Sequence, residues 1–164
     1  MDPEHLGYLI DRQSAALVLF ARQWCAAPED VVQESFIKLA RQQPAPRQPV
    51  AWLYRTVRNG AISQSRAERR RQTHEGRAAE QAATWFQAPD DPGGLDATTA
   101  AAALADLPLD QREAIVAHLW GGLTFEQIAE MVGGSAATVW RRYAAGLAIL
   151  RQRLRITCPN LPTS

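Results

Sequence analysis

Apolar residues recur along this chain at the spacing of helices, and no alternation of period two runs for a useful length. Val32, Phe36 and Leu39 lie on one stripe, and Leu53, Val57 and Ala61 repeat at intervals of four. Phe125, Ile128, Ala129 and Val132 give the i, i+3, i+4, i+7 pattern of a short amphipathic helix. Val139, Tyr143, Leu147, Leu150 and Leu154 mark the buried side of a longer one. The pattern predicts an all-α protein: two small helical domains joined by a flexible linker, the C-terminal one a helix-turn-helix.

Turn chemistry sets the boundaries. A first helix is expected from about His5 to Trp24. Pro28-Glu29-Asp30 supplies a proline and two acids where a second should start. Three prolines, Pro44, Pro46 and Pro49, make the next segment a connecting loop, and a third helix starts near Pro49. From about Ala78 the periodicity fades and Asp-Asp-Pro-Gly-Gly appears. The division is therefore a domain over 1–77, a linker over 78–103 and a domain over 104–157. Trp85-Phe86 within the linker is expected to dock on its own domain. Beyond Pro108, Asp110 with Glu113 predicts a helix N-terminal cap, and Gly121-Gly122 a stop. Thr124 with Gln127 forms a capping box, Gly133 permits a turn, and Ser135 caps the next helix. Ala129, Gly133 and Val139 supply the small residue, turn and apolar lock that a helix-turn-helix needs, and such a motif sets its second helix in a DNA major groove.

Charge sharpens that reading once it is resolved along the chain. A net charge of +1 hides eight arginines against two acids between Arg47 and Arg77. From Ala88 to Glu113 the bias reverses, with Arg112 the one basic residue. The basic segment suits phosphate neutralisation, and equally a solvated helix face. On the third helix Arg55, Arg58, Arg66 and Arg69 fall in one angular stripe, with Ile62 an apolar intruder. On the last helix the face opposite the apolar stripe centres on Arg141, with Ala137, Ala145 and Ala148 beside it and Thr138, Trp140 and Arg142 on its flanks. Arginine there can read guanine or hold phosphate.

Other chemistries find little support. Cys25 and Cys158 sit in no metal or redox spacing, and His5, His74 and His118 join no catalytic motif. His118, on an apolar helix, is expected to be packed. No enzyme activity, cofactor or metal is expected. No run approaches a membrane span and no leader opens the chain, so the expected location is the cytoplasm, without membrane insertion.

Three segments carry a resemblance. Pro28-Glu29-Asp30-Val31-Val32-Gln33-Glu34-Ser35-Phe36 resembles the "AEDLVQETF" signature of bacterial RNA polymerase sigma factors. Ala51-Trp52-Leu53-Tyr54-Arg55-Thr56-Val57-Arg58-Asn59 resembles their "AWLFRIARN" segment. The run from Leu107 to Gly133 is similar to the opening of their second domain. Order, spacing and acidic linker resemble the two-domain, extracytoplasmic-function type over roughly residues 5–77 and 100–155.

The resemblance implies a subunit that recruits core RNA polymerase to a subset of promoters. It assigns polymerase binding to Asp30, Gln33 and Glu34, with Phe36 packed beneath. It implies that the first domain melts the minus-ten element and captures an unstacked base in the loop from Arg41 to Pro49. DNA contacts then fall to Arg55, Arg58, Asn59, Arg66 and Arg69. The helix from Ala136 would read the minus-thirty-five element through Thr138, Arg141 and Arg142. An anti-sigma protein is a further partner of such factors. Two departures stand out: Ala144-Ala145-Gly146-Leu147-Ala148-Ile149 replaces the basic residues usual beyond Tyr143, and Ser63 stands where an Asp is common. The first weakens phosphate contacts or leaves an apolar surface for a partner. From the residues themselves a stand-alone helix-turn-helix regulator, or a sigma-like interaction protein with weakened promoter reading, stays open. The regulator leaves Asp30–Glu34 without a role.

Overall fold

The computed structural model describes residues 2–75 and 97–157. Among the described residues there are seven helices and no strand: α1 Pro3–Ala21, α2 Pro28–Arg41, α3 Pro49–Glu75, α4 Ala97–Ala105, α5 Leu109–Leu119, α6 Phe125–Val132 and α7 Ala136–Thr157. Trp85-Phe86 and most of the expected linker lie outside the described residues.

The first three helices pack on one another. The Asp2 carboxylate accepts from the His5 amide at 3.4 Å, and Pro3 follows in the first turn of α1. In α2, Glu29 and Asp30 sit at the N-terminal end and Lys38 and Arg41 in the last turn, both signs matching the helix dipole. Val31, Val32, Phe36 and Leu39 turn inward and meet Leu53, Tyr54, Val57 and Ala61 of α3 and Leu17, Phe20 and Ala21 of α1. Fully burying each large aliphatic side chain contributes about 1.5–3 kcal/mol. The three-helix arrangement follows directly from these stripes. The first helix starts and ends two or three residues earlier than its pattern suggested.

The second domain contains four helices, with α4, α5 and α6 all packed against α7. Residues 97–103, within the expected linker, instead form most of α4, and Ala101, Ala103 and Leu104 are buried. Small side chains pack without leaving a pattern. The Thr124–Gln127 capping box forms in full, with bonds of 2.9 and 3.3 Å. Gly133 takes φ 82°, which a side chain would disfavour, and the Ser135 hydroxyl accepts from the Thr138 amide at 3.2 Å. The His118 ring stacks on Phe125 and meets Tyr143 edge-on, with Nδ1 donating to the Leu123 carbonyl at 2.7 Å. It is a packing residue, as expected.

The expected Asp110–Glu113 cap does not form. Pro108 occupies the cap position and no side chain caps α5 there. Asp110 instead accepts from the adjacent Gln111 amide, and Glu113 is buried. The reason lies in the packing of the two domains against each other, with α1 on α5 and α3 on α6.

Candidate nucleic-acid and polymerase interface

On α2 the side chains not used by the core form two separate edges. Gln33, with Glu29, rims an apolar groove against α1 lined by Leu6, Ile10, Val32 and Phe36. Asp30 and Glu34 instead face α3, in a polar cleft with Lys38, Asn59 and Ser63. Glu34 pairs with Lys38 one turn on at 2.8 Å. The three residues are exposed on one helix but look into different clefts. Asn59 stands beside the acids of α2, and not with the arginines.

The arginines of α3 also divide. Arg55, Arg66 and Arg69 are exposed and continue as a basic ridge with Arg70. Arg58 turns away from solvent. Its Nε donates to the Glu113 carboxylate of α5, and its guanidinium lies 5.8 Å from the Trp24 ring centre. Ile62 is half-buried, so the apolar member of the stripe packs while its basic neighbours stay wet.

On α7, Arg141 is exposed and donates to the Thr138 hydroxyl at 3.2 Å, which bonds in turn to Ser135 at 3.0 Å. Ala137, Ala145 and Ala148 are exposed beside it, and Trp140 is 55% exposed. Arg142 points back to α5 and pairs with Asp110 at 3.1 Å. The alanine-rich stretch is partly structural. Gly146 is buried where a Cβ would lie 2.7 Å from Ile115 Cδ1, and Leu147 and Ile149 pack on the core. Small residues there let α7 approach α5.

Between the domains lies a contact that the pattern of the chain did not predict. Tyr54 is fully buried, and a Cβ on Gly121 would lie 2.6 Å from its Cζ. Among the described residues the Tyr54 hydroxyl has no hydrogen-bond partner, and burial pushes its pKa up. Gln127 donates to Gln48, in the loop before α3, at 2.8 Å. Glu113 has a raised pKa because burial disfavours its charge more than Arg58 and Arg142 favour it, with Asp110 adding to the rise. One signal was available in the sequence: Glu113 shares a helix face with Val116 and Ala117, which a capping acid has no reason to do. Among the described residues no group of His, Cys, Asp and Glu could hold a metal ion.

A three-helix domain with a basic ridge, followed by a helix-turn-helix with an exposed arginine, defines a two-lobed nucleic-acid-binding protein. The sigma-70 region 2 family matches residues 9–71 and the sigma-70 region 4 family matches residues 99–150, so the chain belongs to the sigma-70 family. It is of the extracytoplasmic-function type and directs promoter-specific initiation of transcription. Among solved structures it is similar to the sigma factor RpoE of Bartonella quintana, crystallised in complex with the anti-sigma factor NepR. The two share 26% identity with a TM-score of 0.71, over 93% of this chain and 98% of that one. No curated protein matches the chain in sequence.

Proposed function

We propose that α2 is the polymerase-binding element, through Asp30, Gln33 and Glu34, and that promoter DNA is held by Arg55, Arg58, Asn59, Arg66 and Arg69 in the first domain and by Thr138 and Arg141 in the second. Arg142 has a supporting part. The observation that carries this reading is the division of α2 into a buried stripe and an exposed set containing all three candidate residues. Nothing in folding requires a glutamine at position 33. The factor supplies no catalysis of its own: it positions polymerase, opens DNA and anchors upstream. Its expected place is the cytoplasm, and no helix among the described residues is long and apolar enough to cross a membrane. An anti-sigma protein is proposed as a further partner, because the Bartonella factor is bound to one over a fold shared with most of this chain.

Co-elution with bacterial core polymerase tests the central assignment. Wild-type protein should co-elute and support promoter-dependent transcripts, whereas the double variant Gln33→Ala/Glu34→Ala should bind polymerase at least about tenfold more weakly, a loss of about 1.4 kcal/mol, with unchanged helicity. Equal affinity in that variant would remove polymerase binding from α2.

A further inference from the structure

We propose that Trp140 reads a thymine in the upstream promoter element, through the C5-methyl group that this base alone presents in the major groove. The proposal rests on the reading of α7 as the promoter-recognition helix, and adds to it a residue and a base.

Folding does not account for Trp140. An indole is among the largest apolar surfaces a side chain offers, and folded proteins bury most of it. Here it is left 55% exposed on the solvent side of α7, while Val139 and Gly146 are buried. Ala137, one turn earlier, is exposed as well and lies about 60° from Trp140 around the helix axis. Long side chains on a helix lean toward its N-terminus. The ring and the Ala137 methyl therefore share the first two turns of α7, the part from which a helix-turn-helix contacts base edges.

The chemistry of that surface selects its target. Phosphate is held by cations, and between Ala136 and Leu150 the only charged residues are Arg141 and Arg142. Arg142 pairs with Asp110, and Arg141 is steadied by the Thr138 hydroxyl. Trp140 and Ala137 are left as an uncharged, apolar patch beside Arg141. Major-groove base edges carry hydrogen-bonding groups, and the thymine methyl is their apolar exception. Against that methyl, ring and alanine gain contact and exclude water; against cytosine they meet no methyl. Trp140 stands about 100° around the axis from Arg141, so the two side chains address different bases.

Holoenzyme reconstituted from the full-length chain and core polymerase, with duplexes selected from a random library, tests this. Each thymine of the enriched upstream element is replaced in turn by deoxyuridine, which removes the methyl and keeps every hydrogen-bonding group. One replacement should weaken wild-type binding by about fourfold, or about 0.8 kcal/mol, as for one buried carbon. Trp140→Ala should bind the thymine and uracil duplexes equally, with unchanged helicity and melting temperature. Trp140→Phe keeps a ring, lacks the indole N–H, and should retain most of the preference. If no thymine is sensitive to loss of its methyl, or if Trp140→Ala keeps the wild-type preference, the proposal is overturned. Trp140→Phe behaving as Trp140→Ala would give the contact to the indole N–H and overturn the apolar reading. Arg141→Ala separates the two levels. Should it bind as wild type does, with no upstream element enriched, α7 is not the recognition helix and both readings fall. Should it lose affinity while Trp140→Ala keeps the thymine preference, only the role of Trp140 falls.

Discussion

At the scale of single residues, hydrogen bonds and charges decide which side chains are free to act. Thr124 is wholly occupied: its hydroxyl accepts from Gln127, and its amide donates to the Gln127 side chain. Thr124→Ala should therefore destabilise the second domain by about 0.5–2 kcal/mol, read as a lower urea midpoint at unchanged slope. Arg141 and Arg142 are neighbours in sequence with different engagements. Arg141 is exposed and steadied by Thr138, while Arg142 already pairs with Asp110. In holoenzyme binding to a duplex selected from a random library, Arg141→Ala should cost about 1–3 kcal/mol and relax preference at one base position. Arg142→Ala should cost less than about 1 kcal/mol, since a half-exposed pair contributes little and its loss leaves no buried charge. Equal losses from the two variants would show that the Asp110 pair gives way on DNA.

At the scale of helices, much was legible because helix burial repeats. The stripes at Val32–Leu39, Leu53–Ala61 and Val139–Leu150 located α2, α3 and α7 and their inward faces, and the capping box at Thr124 fixed the start of α6. The exposed face of α7 was legible for the same reason, since Ala137, Arg141, Ala145 and Ala148 are what the buried stripe leaves over. Two things escaped. Helix α4 is built of alanine and threonine with the single leucine Leu104, and burial of such small residues imposes no apolar period. Glu113 sits where a cap acid would, and local pattern favours that reading; its partner is 55 residues away in the chain. A contact between separate elements leaves no periodic trace, so the arginine stripe of α3 looked uniform although Arg58 alone is taken up by the other domain.

At the scale of the whole molecule, the balance between the closed arrangement, with α1 on α5 and α3 on α6, and one with the domains apart should follow pH through Glu113. Burial raises its pKa in the closed form, against the attraction of Arg58 on α3 and Arg142 on α7 and with Asp110 on its own helix contributing to the rise. The closed form thus holds this proton to a higher pH than an open form with a solvated carboxyl, whose value is about 4.3. A group with a raised pKa stabilises the state that holds the proton; that stabilisation is complete below the open-form value and is lost as pH rises through the closed-form value. Closure should accordingly strengthen on acidification and weaken toward neutrality. Lowering the pH of the wild type toward the carboxylate range should therefore tighten the contact between the domains and shrink the radius of gyration. Glu113→Gln removes the titrating proton while keeping the acceptor for Arg58, so it should remain compact and lose most of that pH dependence. A wild type that expands on acidification, or a Glu113→Gln protein that follows pH as the wild type does, would place the controlling charge elsewhere in the contact.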